Sequence, residues 1–232
     1  MMAAERNAAT HTLTAYGCDL GEFAQFLARQ GVSDDAAEPT HIRAYLARLR
    51  NLGLSPRTAA RRTSALRQYH RFLVSEGLRA DDPMGAIDSP RIGRPLPKVL
   101  TEDEVHALIG AARAQEGFEG ARIVALLELL YAAGLRISEL TSLRQTAISR
   151  DGRFVTVRGK GDKERLVPLG AAAREAIAAW RAVRGRSLPE GAQSPYLFPS
   201  RGKSGHLTPV RVTQLLKALA PSAGIDPRRL SP

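Results

Sequence analysis

The sequence contains little cysteine, few aromatic residues and no long apolar run. Its single cysteine, Cys18, excludes an internal disulfide and a zinc site made of several thiolates. No apolar stretch approaches the roughly 20 residues of a membrane-spanning helix. Residues 1–10 lack the apolar core of a secretion signal. We therefore expect a cytoplasmic protein that spans no membrane.

Metal and cofactor motifs are also missing. The histidines are scattered, with no pair at the i, i+4 spacing and no acidic cluster nearby, so we expect no metal site. The sequence contains no glycine-rich phosphate-binding loop, no nucleophile elbow and no dinucleotide-binding fingerprint. It therefore predicts a protein that works without a cofactor.

Positive charge, by contrast, is in excess. The chain has 34 Lys and Arg against 23 Asp and Glu, a net charge of +11. Residues 90–232 have a net charge of +10 and residues 1–89 of only +1. Such an excess is typical of nucleic-acid-binding domains, because bound phosphates release their counterions. Two alternatives to DNA binding stay open as explanations of this excess. One is an arginine-rich genome, since 29 of the basic residues are Arg. The other is binding to a membrane surface, which the interleaved acidic residues disfavour.

Apolar residues at three- and four-residue spacing predict helices in the first third of the chain. The first helix ends near Gly31, the second begins after a predicted N-cap at Thr40, and the third begins at Ser55-Pro56. Arginines on the polar faces of these helices either bind DNA phosphates or are simply solvated. The candidate DNA-binding residues are Arg43, Arg57 and Arg61.

Residues 81–98 contain four prolines and two glycines, which predict an interdomain linker. We therefore divide the chain into an N-terminal helical domain (1–86), a linker (87–98) and a second domain (99–232). Thr101 and Glu104 form a capping-box pattern that begins the first helix of the second domain.

The second domain changes from a helical to a strand pattern and back. Residues 122–133 are so apolar that they predict a buried helix, with Tyr131 in the core and Gly134 at its end. Residues 154–157 and 166–169 flank the turn-rich sequence GKGDK and predict a β-hairpin. Helical patterns resume at about 171–183 and 209–219. The expected fold class is mainly α with a small antiparallel β-sheet.

Two basic residues are candidates for chemistry. Arg136 follows the buried helix and a glycine, so that rigid packing would direct its planar guanidinium at two phosphate oxygens. Glu139 lies three residues on and can orient it, although a purely structural Arg–Glu pair is the alternative. Lys160 lies between two glycines at the hairpin tip, where it either reaches a partner or is an exposed solubilising charge.

These residues resemble those of a known family. The stretch LLYAAGLRISELTSLR followed by VTVRGKGDKERLVPLG resembles the catalytic domain of the tyrosine recombinases, the phage-integrase family. The chain is similar to the bacterial Xer subfamily, and TLTAYGCDLGEF and LPKVLTEDEV favour its XerD branch over its XerC branch. The resemblance runs from about residue 9 to the last residue. It implies a four-helix core-binding (SAM-like) domain followed by a catalytic domain.

The resemblance implies site-specific recombination of double-stranded DNA through a 3′-phosphotyrosyl link, with neither ATP nor an obligatory metal. It implies that Arg136 stabilises charge on the phosphorane oxygens, that Lys160 protonates the leaving 5′-oxygen, and that Glu139 supports Arg136. The implied partners are a DNA recombination site, sister protomers in an XerC/XerD-type tetramer, and a septal DNA translocase. The implied process is chromosome dimer resolution at cell division.

The rest of the family's active site is missing from the sequence. No histidine is followed three residues later by arginine, and none of the five tyrosines lies in the context of the family's nucleophile. The sequence ends at Ser231-Pro232, where the family pattern would next place His-x-x-Arg. We therefore expect a truncated catalytic domain that binds DNA without cleaving it, unless a partner protomer supplies a tyrosine.

Two alternatives to an Xer recombinase remain. One is a non-catalytic DNA-binding remnant or decoy. The other is a phage or transposon integrase, which usually has an additional arm-binding domain ahead of the helical one, and residues 1–10 leave no room for it.

Overall fold

The structure is a computed structural model that describes residues 10–88, 99–159 and 163–230. The chain divides into two compact units, Met1–Pro95 (unit 1) and Leu96–Pro232 (unit 2). Within the described residues, no helix is both long enough and apolar enough to cross a membrane.

The described part of unit 1 contains three helices, α1 (Thr10–Ala28), α2 (Pro39–Asn51) and α3 (Pro56–Ser75). The predicted apolar stripes face one another and form the core of the unit, because each helix buries one side only. This core includes Phe23, Leu27, Ile42, Tyr45, Leu49 and Leu66.

The start of α2 differs from the prediction. The helix begins at Pro39 after an N-cap at Glu38, whose backbone N–H donates to Nδ1 of His41 at 3.1 Å. Thr40 lies inside the first turn, and its prediction as the N-cap is wrong, because proline favours the first helical position and moves the start forward. The predicted start of α3 is confirmed: the helix begins at Pro56, and the backbone N–H of Thr58 donates to the hydroxyl of the N-cap Ser55 at 3.2 Å.

The family resemblance implies four helices in this unit, whereas residues 10–88 contain three. After α3 the chain turns around Pro83, and the backbone N–H of Met84 donates to the Asp82 carboxylate at 2.9 Å. A proline and a competing side-chain acceptor favour a turn over a helix here. The turn buries Met84 and Ile87 in the core of unit 1.

Unit 2 is built around α5 (Gly117–Ala133), which packs against α4 (Glu102–Arg113) and α7 (Ala171–Val183). The shorter helices are α6 (Ile137–Thr141) and α8 (Pro209–Leu219). Single 3-10 turns lie at Gln145–Ala147, Arg184–Ser187, Ala220–Ala223 and Pro227–Arg229.

The predicted hairpin is confirmed. Strands β1 (Phe154–Arg158) and β2 (Glu164–Pro168) form a two-stranded antiparallel sheet. Its register pairs Phe154 with Pro168 and Arg158 with Glu164. The described residues of unit 2 contain five α-helices and this one sheet, which confirms the expected mainly α fold class with a small antiparallel sheet.

Most of α5 is buried as predicted, and Gly134 ends it in the left-handed conformation with φ 53°. Tyr131, however, is not a core residue, and that prediction is wrong. Its side chain is 47% exposed and its ring packs edge-on against His106 of α4, with 6.2 Å between ring centroids. The apolar run predicts burial of the helix but does not reveal which side of its last turn stays uncovered.

The largest buried side chain of unit 2 is Trp180 on α7. Its ring stacks on Phe198 with 6.0 Å between centroids, and its Nε1–H donates to the carbonyl of Leu197 at 2.8 Å. Trp180 therefore supplies both apolar area and a satisfied polar atom to the core.

Candidate functional site

The turn after α5 positions Arg136. Gly134 ends the helix, and the buried residues Leu135 and Leu140 hold the chain on both sides of the turn. Arg136 thereby occupies the N-cap of α6, with 68% of its side chain exposed. A tightly packed backbone therefore directs an exposed guanidinium toward solvent.

Glu139, one turn further on, contacts Arg136 twice. Its Oε2 accepts the backbone N–H of Arg136 at 2.9 Å, and its Oε1 accepts Nη1–H of the same residue at 2.9 Å. The Glu139 side chain is only 7% exposed. The carboxylate is therefore held in one place, in contact with Arg136.

Arg165 of β2 completes an Arg–Glu–Arg triad (Arg136, Glu139 and Arg165), and its place there is not predicted from the sequence. Its Nη2 donates to Oε2 of Glu139 at 2.8 Å and its Nη1 to Oε1 at 3.2 Å. One signal was available: strand residues alternate between faces, so Arg165 shares the inward face with Val167. An inward-facing arginine indicates an acidic partner, but spacing does not identify one that lies 26 residues away.

The triad keeps its carboxylate ionised. The pKa of Glu139 is lowered to about 2, first by the hydrogen bond from Arg165 and then by those from Arg136, against the opposing effect of burial. Because this folded-state pKa is lower than the ordinary value of 4.5, the carboxylate stabilises the fold fully above that value. The stabilisation is lost as the pH falls toward 2.

The base of the hairpin lies against the triad. The backbone N–H of Gly159 donates to the carbonyl of Lys163 at 2.8 Å. A Cβ at Gly159 would lie 3.6 Å from Oε1 of Glu139 and 3.4 Å from Nη1 of Arg165. Lys160, the other candidate catalytic residue, lies outside the described residues.

The arrangement is suited to binding an anion with more than one oxygen. Arg136 uses one guanidinium N–H on Glu139, and within the described chain it has no other hydrogen-bond acceptor. Its remaining N–H groups form a fork of the kind that binds two phosphate oxygens. An open polar pocket of about 750 Å³ adjoins the triad, and its lining includes Glu139, Ser142, Arg144, Thr156 and Gly159.

The three candidate DNA-binding residues of unit 1 differ in the hydrogen-bond and ion-pair partners of their side chains. Arg57 is exposed in the first turn of α3 and has no hydrogen-bond or ion-pair partner among the residues that the structure describes. Arg43 is exposed and donates Nη2–H to the carbonyl of Ala86 at 3.3 Å. Arg61 forms an ion pair with Asp19, which is 3% exposed. Arg57 is therefore the most available of the three.

The tyrosines of the described chain have other contacts. The Tyr45 hydroxyl accepts from Arg62 at 3.0 Å, and the Tyr69 hydroxyl donates to Asp34 at 2.6 Å. Tyr196 packs against His206 with 4.7 Å between ring centroids. None of these contacts involves the Arg–Glu–Arg triad. Among the residues that the structure describes, no group of three His, Cys, Asp or Glu side chains could hold a metal ion.

Two family models match the chain. Residues 98–232 match the phage integrase family, and residues 1–77 match the N-terminal SAM-like domain of phage integrases. The chain is 52% identical over 233 residues to tyrosine recombinase XerD of Caulobacter vibrioides, and 46% identical over 239 residues to that of Rhizobium meliloti. Each alignment covers 100% of this chain and 76% of the relative.

Solved structures have a similar fold. The XerH site-specific recombinase bound to a palindromic difH substrate has a TM-score of 0.70 and 20% identity, covering 95% of this chain and 65% of that chain. Lambda integrase residues 75–356 bound to DNA has a TM-score of 0.68 and 18% identity, covering 97% of this chain and 75% of that chain. At these identities the likeness shows the fold alone.

Proposed function

We propose a function that proceeds from one premise: this chain belongs to the phage integrase family of tyrosine recombinases, and within it to the Xer subfamily. The proposal is that residues 1–232 bind double-stranded DNA. We further propose that they contribute part of the catalytic apparatus of a site-specific recombinase. The observation that carries the proposal is the exposed guanidinium of Arg136, held by a buried carboxylate beside the hairpin base. The net charge of +10 over residues 90–232 supports the same partner.

The proposed reaction breaks and rejoins one DNA strand. A tyrosine oxygen attacks the phosphorus of a phosphodiester, the bond to the 5′-oxygen breaks, and a 3′-phosphotyrosyl link and a 5′-hydroxyl result. We assign to Arg136 the stabilisation of charge on the non-bridging oxygens and to Glu139 the support of Arg136. We assign to Lys160 the transfer of a proton to the leaving oxygen. The phosphotyrosyl link conserves the energy of the broken bond, so this reaction needs no cofactor.

The nucleophile is the part of this reaction that residues 1–232 do not supply. They contain no His-x-x-Arg sequence and no tyrosine in the family's nucleophile context, and they span 76% of the length of the XerD relatives. An acid and an arginine without a nucleophile cannot begin strand cleavage. We therefore propose that these residues bind DNA without cleaving it, unless a partner protomer supplies the tyrosine.

We propose that the chain has two domains, a core-binding domain at 1–86 and a catalytic domain at 99–232, joined by a linker at 87–98.

Proposed partners are a DNA recombination site and sister protomers in an XerC/XerD-type tetramer, with a septal DNA translocase as a further partner. The proposed process is chromosome dimer resolution in the cytoplasm. These assignments rest on the relatives' name and on the subfamily.

A specific variant tests the contact of unit 1 with DNA. Replacing the exposed Arg57 with Ala should remove one phosphate contact, so the slope of log K against log salt should become shallower by about 0.9. The measurement is fluorescence anisotropy with a labelled duplex at several salt concentrations.

Arg61→Ala provides the matched contrast for Arg57→Ala. Arg61 forms an ion pair with the buried Asp19, so its removal should lower the free energy of unfolding by about 1–3 kcal/mol. A slope unchanged by Arg57→Ala would contradict the assignment of this residue to the DNA-binding face.

The competing function is a non-catalytic DNA-binding remnant or decoy, which the lack of a nucleophile in residues 1–232 favours. Covalent trapping of the 232-residue chain does not separate the two functions, because both predict bound DNA without a covalent link. Reading the gene beyond codon 232 separates them. A frame that continues into His-x-x-Arg and a late tyrosine supports the recombinase, and a stop codon supports the remnant.

A further inference from the structure

Arg165 has the contacts of a positioning residue rather than of a simple surface charge. Its two terminal nitrogens donate to both oxygens of Glu139, at 3.2 and 2.8 Å. Its side chain is 39% exposed and that of Glu139 only 7%. A planar guanidinium that bonds both oxygens of a carboxylate fixes its orientation as well as its distance.

We propose that Arg165 is a positioning residue for Arg136: by holding Glu139 it leaves the guanidinium of Arg136 free for a DNA phosphate. This proposal rests on the proposed function, since it deepens the role given to Arg136.

The proposal depends on the acceptor capacity of Glu139. Oε1 accepts from Nη1 of both arginines, while Oε2 accepts the backbone N–H of Arg136 and Nη2 of Arg165. Four donors occupy two oxygens, which is about the capacity of a carboxylate. Arg136 therefore makes one guanidinium bond to Glu139 instead of a two-bond fork, and its other N–H groups stay available.

Arg165 also joins two elements that are distant in sequence. It lies on β2 opposite Val157, whereas Glu139 lies on α6. A Cβ at Gly159 would be 3.4 Å from Nη1 of Arg165, so the end of β1 also borders the triad. The ion pair therefore fixes the hairpin base relative to Arg136.

Loss of Arg165 should change the triad in two ways. An oxygen of Glu139 becomes available to a second guanidinium bond from Arg136, which turns that group away from a phosphate. The formal charge of the triad falls from +1 to zero. Both changes weaken the attraction for a DNA phosphate, but only the first is a positioning effect.

Three variants separate positioning from charge: Arg165→Gln, Arg165→Lys and Arg158→Gln. Lysine keeps the charge but lacks the planar fork. Arg158→Gln is the matched control, because Arg158 lies on the same hairpin and pairs with the exposed Glu164 at 3.0 Å. It removes the same charge while leaving the triad intact.

The first readouts are made without DNA, by carbon-13 NMR titration of the Glu139 carboxyl and by hydrogen exchange of the Arg136 backbone amide. Arg165→Gln should raise the pKa of Glu139 from about 2 toward its ordinary 4.5. It should also speed exchange of the amide that donates to Oε2 by about tenfold or more. Arg165→Lys should give intermediate values, and Arg158→Gln should leave both unchanged.

The second readout is the dissociation constant for a duplex of about 30 base pairs at about 50 mM salt. Both Arg165 variants should bind about three- to thirtyfold more weakly than wild type. Wild-type affinity in Arg165→Lys, or an unchanged Glu139 pKa in Arg165→Gln, would overturn the proposal. A wild-type chain that fails to bind DNA would instead contradict the proposed function, because the NMR readouts need no DNA.

Discussion

Raising the salt concentration from about 50 to 200 mM should weaken binding of the chain to duplex DNA by about a thousandfold. The estimate assumes about six phosphate contacts, a modest share of the basic residues in a segment that has a net charge of +10. Each contact releases a fraction of a condensed counterion, so the logarithm of the affinity falls linearly with the logarithm of the salt concentration. Fluorescence anisotropy with a labelled duplex of arbitrary sequence measures the slope.

Two controls are needed for this measurement. Far-UV circular dichroism across the same salt range checks that the fold is unchanged, and a duplex competitor checks that binding is reversible. A slope shallower than about −2 would contradict the account. In that case the arginine excess would reflect the composition of the genome rather than a DNA-binding surface.

Trp180→Ala should lower the free energy of unfolding of unit 2 by about 3–5 kcal/mol. The side chain is fully buried, stacks on Phe198 and donates its indole N–H to Leu197 at 2.8 Å. The variant therefore leaves a large cavity, while the Leu197 carbonyl keeps the hydrogen bond from Nε–H of Arg184 at 3.2 Å. Since Trp180 is the single tryptophan, urea unfolding of the variant is followed by circular dichroism rather than by fluorescence.

Tyr131→Ala is the matched control for the tryptophan variant. It removes another aromatic side chain from unit 2, but one that is 47% exposed, so the loss should stay below about 1 kcal/mol. Equal losses for the two variants would contradict the placement of Trp180 in the core and of Tyr131 at the surface.

Features encoded by neighbouring residues could be predicted from the sequence. The apolar run of α5 and the glycine after it predict a buried helix and a left-handed end, and Gly134 has φ 53°. The alternation on both sides of GKGDK predicts the hairpin, and the Thr101–Glu104 box predicts the start of α4. Each of these signals spans only a few residues, so no knowledge of tertiary contacts is needed.

Features that depend on distant residues could not be predicted. The ion pair of Arg61 with Asp19, 42 residues away, is one such feature. The pairing of Arg165 with Glu139 is another, because the two residues lie on different elements. The exposure of Tyr131 likewise depends on which helices cover α5. In each case the sequence specifies the side chain, and the tertiary fold determines which residues it contacts.

Local competition explains the remaining error. Thr40 is a good N-cap residue by itself, but Pro39 favours the first helical position and Glu38 can take the cap. Two local signals one residue apart cannot both be satisfied, and the proline restricts the backbone more strongly.

Covalent trapping tests the central claim most directly, namely that residues 1–232 bind DNA and lack the nucleophile. The chain is incubated at low salt with nicked duplex fragments of the source genome, and one half of each sample is run on a native gel, the other on a denaturing gel. A full-length tyrosine recombinase on its own site serves as the positive control for the covalent link. We predict a shifted complex on the native gel and no protein-linked DNA on the denaturing gel. Protein-linked DNA, or the lack of any shifted complex, would contradict the account.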